Sequence, residues 1–466
     1  AWIDHFQHFL HAEAMTPTVL AAFMNACGDH AVYLDAALAD NPTGNNWRLM
    51  EAEGLAFIAM CFPQFQRADA WRRRAFDVLR AQIKAQVRPD GMQYEQCFGY
   101  HAGCIRWFAR TAELADLNGC GDEFGPDYYR RIESMCGVLM NLSLPDGSAA
   151  QFGDSARSVH VRGTLRAALK LFDRDDFRYV ATAGRRGRVP AETAFALPDS
   201  GLYAMRSSWG PKATCLILKC GPDGGSHCQP DNGTFVLAAG GRLLTPDSGT
   251  YIYRGDPAGR AWFRRTAVHQ TLTLDGRNSA YAPRQRLWQP GRNLVALVVE
   301  NDSYDGLTHR RAVFFIRRRW FVLVDEAIGP AAGEVDVHFT LAPGPVEIDA
   351  DGRAARTAEP GRTNLLIRAA DGPTLAEEEG QVSFRYGQRE PRPAFAFRQT
   401  KNAATPAVRF LTVLAPFRGR PPAATIAPAD ETPSGTDRVE VLTRLGRHRV
   451  RVGYDLAAGR AWHAGQ

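Results

Sequence analysis

Residues 174–200 read RDDFRYVATAGRRGRVPAETAFALPDS and run into GLYAMRSSW at 201–209. The spacing of apolar residues changes across this stretch. Upstream, TPTVLAAFMNACGDHAVYLDAAL, NNWRLMEAEGLAFIAMCF, ADAWRRRAFDVLRAQIKAQV, CFGYHAGCIRWFARTAELADL, PDYYRRIESMCGVLMNLS and SVHVRGTLRAALKLF repeat apolar residues every three or four positions, the period of a helix with one buried face. Thr16 stands as an N-cap and Pro17 in the first turn of the first of these. Downstream, TCLILKCG, GTFVLAAG, LVALVVEND, RRAVFFIRRRWFVLVDEA, EVDVHFTLAP, AVRFLTVLAPF and RVEVLTRLG alternate or are rich in β-branched residues, with Gly, Pro, Asp and Asn between them. The expectation is an α+β multidomain chain: helices over 1–175, a linker over 176–200, and an antiparallel β-sandwich over 201–466. RPDGMQYEQ and LPDGSAAQFGD each place Pro-Asp-Gly after a helix, a sign of repeated helical hairpins. VLAAGGRLL reads as strand, Gly-Gly turn, strand.

The chain has 466 residues and a formal net charge of +6, from 56 Lys and Arg against 50 Asp and Glu. That mild basic balance suits an acidic ligand better than a duplex groove, which needs a dense Lys/Arg stripe, so nucleic acid is not an expected partner. No apolar run is long enough to span a bilayer. AWIDHFQHFL is amphipathic rather than a signal peptide, and a start at Ala1 points to processing or truncation upstream that hides any targeting signal. Nine Cys without a CxxC pair read as free, buried thiols, which favours a reducing compartment.

Three stretches hold more polar chemistry than a core needs. In TGNNWRLMEAEGLAF, Asn45 and Asn46 precede a helix, where N-capping accounts for one of them. In QYEQCFGYHAGCIRW, Tyr100 and His101 are neighbours on a helix and point about 100° apart, so at most one is core; Glu95, Gln96 and Arg106 lie near. In GGSHCQPDNGTF, an Asx turn explains Asp231-Asn232-Gly233 but neither His227 nor Gln229. TPDSGTYIY then sets Asp247 across a hairpin, and RAWFRRTAVHQTLTLDG adds Trp262, Arg264, Arg265 and His269. A His, an Asp and an amide oxygen from neighbouring strands can hold a metal ion.

HCQPDNGTF, GRLLTPDSGTYIYRGD and WFRRTAVHQTLTLDG together resemble the start of the β-domain of heparinase II/III-type polysaccharide lyases, most closely the heparinase III branch (polysaccharide lyase family 12), which cleaves heparan sulfate. NNWRLMEAEGLAF and QYEQCFGYH resemble that family's two helical motifs, in the same order. The resemblance implies an incomplete (α/α) toroid, truncated at its N-terminus, packed on an antiparallel β-sandwich with a cleft between them. It places the catalytic residues on Asn46, Tyr100 and His227. Substrate contacts would come from Trp47, Arg48, Glu95, His101, Arg106, Arg264 and Arg265. A structural divalent metal (calcium, manganese or zinc) would sit at Gln229, Asp247 and His269; Gln229, where some relatives have His, favours a harder ion or a hydrogen-bonded cluster.

The implied reaction is β-elimination at a 4-linked uronic acid of a glycosaminoglycan, most closely heparan sulfate, without a cofactor for the chemistry. A chondroitin, hyaluronan or alginate-type lyase, and a non-catalytic carbohydrate-binding protein on the same scaffold, are the alternatives. The C5 proton is weakly acidic while the neighbouring carboxylate is charged, so an amide such as that of Asn46 must bind the carboxylate. Tyr100 or His227 can take the proton; a phenol, with a reference pKa near ~10, needs positive charge nearby, from Arg106, Arg264 or Arg265. A Tyr–His pair on opposite sides suits both C5 epimers, and the phenol can return a proton to O4. The partner is an acidic polysaccharide, met by a monomer or homodimer. Family resemblance puts this in the periplasm or outside the cell; the chain itself leaves the cytoplasm open.

Overall fold

The computed structural model describes residues 2–40, 44–429 and 434–465. Eight helices come first: α1 (Trp2–Phe9), α2 (Pro17–Asp40), α3 (Asn46–Cys61), α4 (Ala68–Gln86), α5 (Phe98–Leu117), α6 (Pro126–Asn141), α7 (Val161–Ala168) and α8 (Asp175–Ala181). The starts follow the expected chemistry. The Thr16 hydroxyl accepts from the Val19 amide at 3.3 Å ahead of α2, and the Asn45 side chain accepts from the Arg48 amide at 3.1 Å ahead of α3.

The two Pro-Asp-Gly segments form the same device. After α4, the Gly91 amide bonds to the Arg88 carbonyl and the Arg88 amide to Met92; after α6, Gly147 bonds to Leu144 and Leu144 to Ser148. Asp90 and Asp146 each accept the backbone amide two residues on, and Gly91 and Gly147 take φ of 92° and 86°, which favours glycine. Each turn hands the chain to the same end of the helical layer.

The transition at 174–209 is more ordered than a linker. α8 and a first strand, Ala194–Leu197, both fall inside 176–200. Helix α8 has only seven residues, too few for a periodic signal, but Phe177 is fully buried and Arg174 pairs with Glu133 at 3.1 Å. The first strand pairs with Leu202–Arg206 and opens a five-stranded antiparallel meander continuing through Cys215–Lys219, Phe235–Ala239 and Arg242–Thr245. Its last turn is Gly240-Gly241, both at positive φ, as a two-residue hairpin requires.

This meander joins the halves of the chain. Alternate residues Leu202, Ala204, Cys215, Ile217, Val236 and Ala238 pack into the helical core; Tyr203, Met205, Leu216, Leu218, Phe235 and Leu237 face the next β layer. That layer combines a four-stranded sheet with one face of an eight-stranded sheet. A further four-stranded sheet, Ala424–Pro428 to Arg460–Gly465, covers the other face of the eight-stranded sheet. The strand Leu294–Tyr304 shows the consequence: Val295, Leu297 and Val299 point into one core, Ala296 and Val298 into the other. The β half is thus a sandwich with an added layer. A short helix α9 (Pro257–Phe263) and a two-stranded hairpin, Gln381–Arg385 with Gln388–Pro391, project toward the helical half. Among the described residues no helix is long and apolar enough to cross a membrane, and all nine cysteines are unpaired.

Candidate active site between the helical and β halves

Two loops meet where the halves join. The turn at 224–228 carries His227, and the segment after the second Pro-Asp-Gly turn carries Asp154. The Asp154 amide donates to the His227 carbonyl at 3.0 Å. Close approach needs glycines: a Cβ on Gly153 would collide with the His227 carbonyl, and one on Gly224 with the Glu95 backbone. Arg264 grips the turn from below, donating to the carbonyls of Ser226 (3.1 Å) and Cys228 (2.8 Å).

His227 Nδ1 lies 3.0 Å from an Asp154 carboxylate oxygen. That carboxylate also accepts two bonds from Arg260, both 2.7 Å, and one from the Thr250 hydroxyl at 2.7 Å. Burial alone would raise its pKa, but the hydrogen bonds from His227, Arg260 and Thr250 outweigh burial and hold it at about 2. An ionised Asp154 accepts a hydrogen bond from Nδ1–H, so in the tautomer this favours Nε2 carries the lone pair.

Tyr100, in the first turn of α5, stacks on His227 with ring centroids 3.8 Å apart and planes 21° from parallel. Its hydroxyl lies 3.2 Å from the Tyr253 hydroxyl. Tyr253 stands edge-on to His227 at 6.0 Å, beneath the Arg260 guanidinium at 4.9 Å. Burial pushes the Tyr100 phenol up, and the bond with Tyr253 pulls it partly back. Tyr100 is therefore a protonated phenol near neutral pH.

Among the other expected contacts, Asn46 is the first residue of α3, half-buried. It lies at the same end of the helical layer as Tyr100, because Gln86, at the end of α4, donates to the Asn45 carbonyl (3.0 Å) and accepts from the Tyr94 amide (2.8 Å). No hydrogen bond joins Asn46 to Tyr100 or His227. Trp47 is 68% exposed beside it. Arg48 donates to the Leu38 carbonyl at the end of α2 (3.0 Å). Glu95 is buried with one oxygen unpartnered, and burial raises its pKa against the pull of His227. Arg106 shares a hollow with Tyr100. Arg265 stacks on Trp262 at 5.6 Å. His101 is a correction: it is wholly buried, takes the Gln93 amide on Nδ1 (3.2 Å), meets the Met135 carbonyl through Nε2 (3.0 Å), and has its pKa lowered by burial to about 4. It is a core histidine, out of reach of any substrate.

Beyond the turn lies a buried polar cluster. Asp231, Asp247 and His269 each offer a ligand atom within 4.8 Å of the others. Asp247 orients His269 through Nδ1 at 2.8 Å, leaving Nε2 open. Nε2 of His269, one oxygen of Asp231 and both amide atoms of Gln229 are buried without a hydrogen-bond partner. Buried Lys219 pairs with Asp231 and donates to the Gln229 carbonyl at 3.4 Å. Asp231 thus joins the expected set, where the sequence suggested only a turn. Asn232 is the turn's structural member, bonded to both backbone groups of Gly221 (2.9 Å each) and to Asn301 (3.0 Å). Asp154, Tyr253 and Thr250 carry no motif spacing that would have marked them.

Residues 1–179 match the family model described as Heparinase II/III N-terminus, and residues 189–423 the one described as Heparinase II/III-like, C-terminal. The chain is 38% identical over 427 residues to a heparin-sulfate lyase of Pedobacter heparinus, covering 89% of this chain and 64% of that protein. It is 34% identical over 424 residues to a heparin-sulfate lyase of Bacteroides stercoris, covering 89% and 63%. It therefore spans a little under two thirds of the length of these relatives. A solved heparinase III superposes with a TM-score of 0.90 at 32% identity, over 97% of this chain and 73% of that one.

Proposed function

The chain belongs to the heparinase II/III family, and on that premise we propose that it is a polysaccharide lyase that cleaves heparan sulfate by β-elimination. The observation that carries this reading is the contact of Tyr100 and His227, brought from separate halves of the chain into one stacked pair with His227 held by Asp154. Two proton-handling groups, one ready to accept and one ready to donate, are what an elimination needs.

In this reading the Asn46 amide binds the uronate carboxylate, so that charge can move onto its oxygens as the C5–H bond breaks. His227 Nε2 takes that proton. The C5 electron pair becomes the C4=C5 double bond, and the C4–O4 bond breaks. Tyr100 gives its proton to O4, which leaves with the neighbouring glucosamine as a new reducing end. The product is a 4,5-unsaturated uronate. Proton return from imidazolium to phenolate resets the pair. The test is ultraviolet absorbance of the unsaturated product with heparan sulfate, heparin, chondroitin, hyaluronan and alginate at fixed ionic strength. No product with any of them ends the lyase reading; preference for a polymer without glucosamine ends the heparan sulfate assignment. The same reading places the enzyme with its polymer, in the periplasm or outside the cell.

Tyr253 supports the donor. Its hydrogen bond favours the phenolate that Tyr100 becomes during the reaction. Tyr253→Phe should lower kcat about tenfold, the worth of one such bond. Because that bond holds the Tyr100 pKa down, its loss raises it, and the alkaline limb of the rate profile should move to higher pH. An unshifted limb would remove Tyr253 from the account.

The orphaned atoms of Gln229, Asp231 and His269, with Asp247 behind them, suit a divalent cation with mixed oxygen and nitrogen ligands. A cation there would tie together the strand ends beneath the His227 turn. Elemental analysis should find about one equivalent, and a chelator should lower the melting temperature by several degrees. No metal and an unchanged melting curve would leave a hydrogen-bonded cluster.

A further inference from the structure

The cleft continues past Tyr100. The hollow of about 550 Å³ beside Tyr100 and Arg106 shares Ser158 and His160 with a second hollow of about 620 Å³. Both are of the size that holds small ligands. The far wall of the second is the 381–391 hairpin, and three guanidiniums line it: Arg157, Arg385 and Arg389. Glu390 is the one carboxylate among its lining residues. Two of the arginines have carboxylates behind them, Asp146 at 3.0 Å from Arg157 and Asp256 at 3.8 Å from Arg389. Arg385 has no carboxylate within ion-pair range among the described residues.

This hairpin is fixed at both ends. At its base, buried Arg392 donates to the Pro246 carbonyl and the Ser248 hydroxyl, both 2.5 Å. At its tip, the Gly387 amide donates to the Tyr251 carbonyl (2.8 Å) and the Tyr386 hydroxyl accepts the Tyr253 amide (3.0 Å). Aromatic faces hold two guanidiniums in place, Phe384 under Arg157 at 5.4 Å and Tyr251 under Arg389 at 5.0 Å. The elimination chemistry has no use for these charges. Arginine forks held in a hollow that opens onto the reacting centre are suited to paired contacts with sulfate or carboxylate.

We propose that this hollow is an anion subsite, which takes a sulfate or carboxylate of a sugar flanking the one cleaved, with Arg385 as its main ligand and Arg157 and Arg389 beside it. The inference rests on the lyase reading and names the element that would hold the flanking sugar. The test compares wild type with Arg385→Ala on a sulfated heparan-type polymer and on the unsulfated polymer of the same backbone.

If sulfate is the ligand, kcat/KM on the sulfated polymer falls about tenfold through KM, and the unsulfated polymer is unaffected. If carboxylate is the ligand, both fall through KM alike. Unchanged KM on both, or a fall confined to kcat, overturns the subsite while the lyase reading stands. Calorimetry with sulfated and unsulfated hexasaccharides separates the two ideas. Should wild type cleave neither polymer, weaker hexasaccharide binding by Arg385→Ala still upholds the subsite, and equal or absent binding overturns it.

Discussion

On the proposed elimination, Tyr100→Phe should lower kcat on heparan sulfate by at least ~10²-fold, with the fold intact. The substitution removes one hydroxyl from a half-exposed ring and leaves its stacking on His227 in place. The lost bond to Tyr253 spans 3.2 Å and is between neutral groups, so the stability change should be small. The two rings have different tasks, and a second measurement separates them. With the phenol gone, O4 has no proton to leave with, so the C4–O4 bond stays intact and the C5 carbanion is reprotonated; His227 should therefore still exchange the C5 proton with solvent deuterium. His227→Gln should lose both exchange and product. Near-wild-type turnover in well-folded Tyr100→Phe would remove the phenol from the mechanism. Lost exchange in that variant would make Tyr100 the base instead.

The parts of the fold that could be read from sequence are those whose signals are local. Two Pro-Asp-Gly turns each demand an Asp side chain and a positive-φ glycine, and both form the same turn. Gly240-Gly241 required a two-residue hairpin and makes one. The strands around 294–328 read as near-continuous apolar runs because they are covered on both faces, which the sequence shows as apolarity but not as a third layer. Helix α8 was invisible for want of length.

At the site, His227 came forward because an Asx turn gave it no role, and Tyr100 because the resemblance placed a catalytic tyrosine on its helix. His101 failed for the opposite reason. A histidine beside a reactive tyrosine looks functional, yet a 100° rotation on α5 sends it into the core, where two backbone groups satisfy it. Asp154 could not be found at all. Its importance comes from four bonds made by residues 73 to 106 positions away, and no spacing along a chain encodes that.

Asp154→Asn should be the most damaging change that touches no substrate. The side chain is wholly buried between His227, Arg260 and Thr250. An amide in its place turns one acceptor into a donor, so Arg260 loses its counter-charge and His227 must reverse its tautomer to avoid two donors facing each other. With the proton on Nε2, the ring cannot accept from C5. We expect kcat to fall by ~10² to 10⁴, with KM little changed, as happens when a carboxylate that fixes a catalytic imidazole is neutralised. Breaking a buried pair should also cost about 3 kcal/mol of stability. Nitrogen chemical shifts of His227 distinguish lost positioning from mere loosening: the proton should sit on Nδ1 in wild type and on Nε2 in the variant. Acid gives an independent check on the same carboxylate. Its pKa lies at about 2 in the folded protein, below the unfolded value near ~3.9, so its stabilisation is complete above that unfolded value and is lost as pH falls toward 2. Asp154→Asn should therefore flatten the acid end of the stability curve. A variant that keeps wild-type kcat and the wild-type His227 tautomer would show that Asp154 only holds the two loops together.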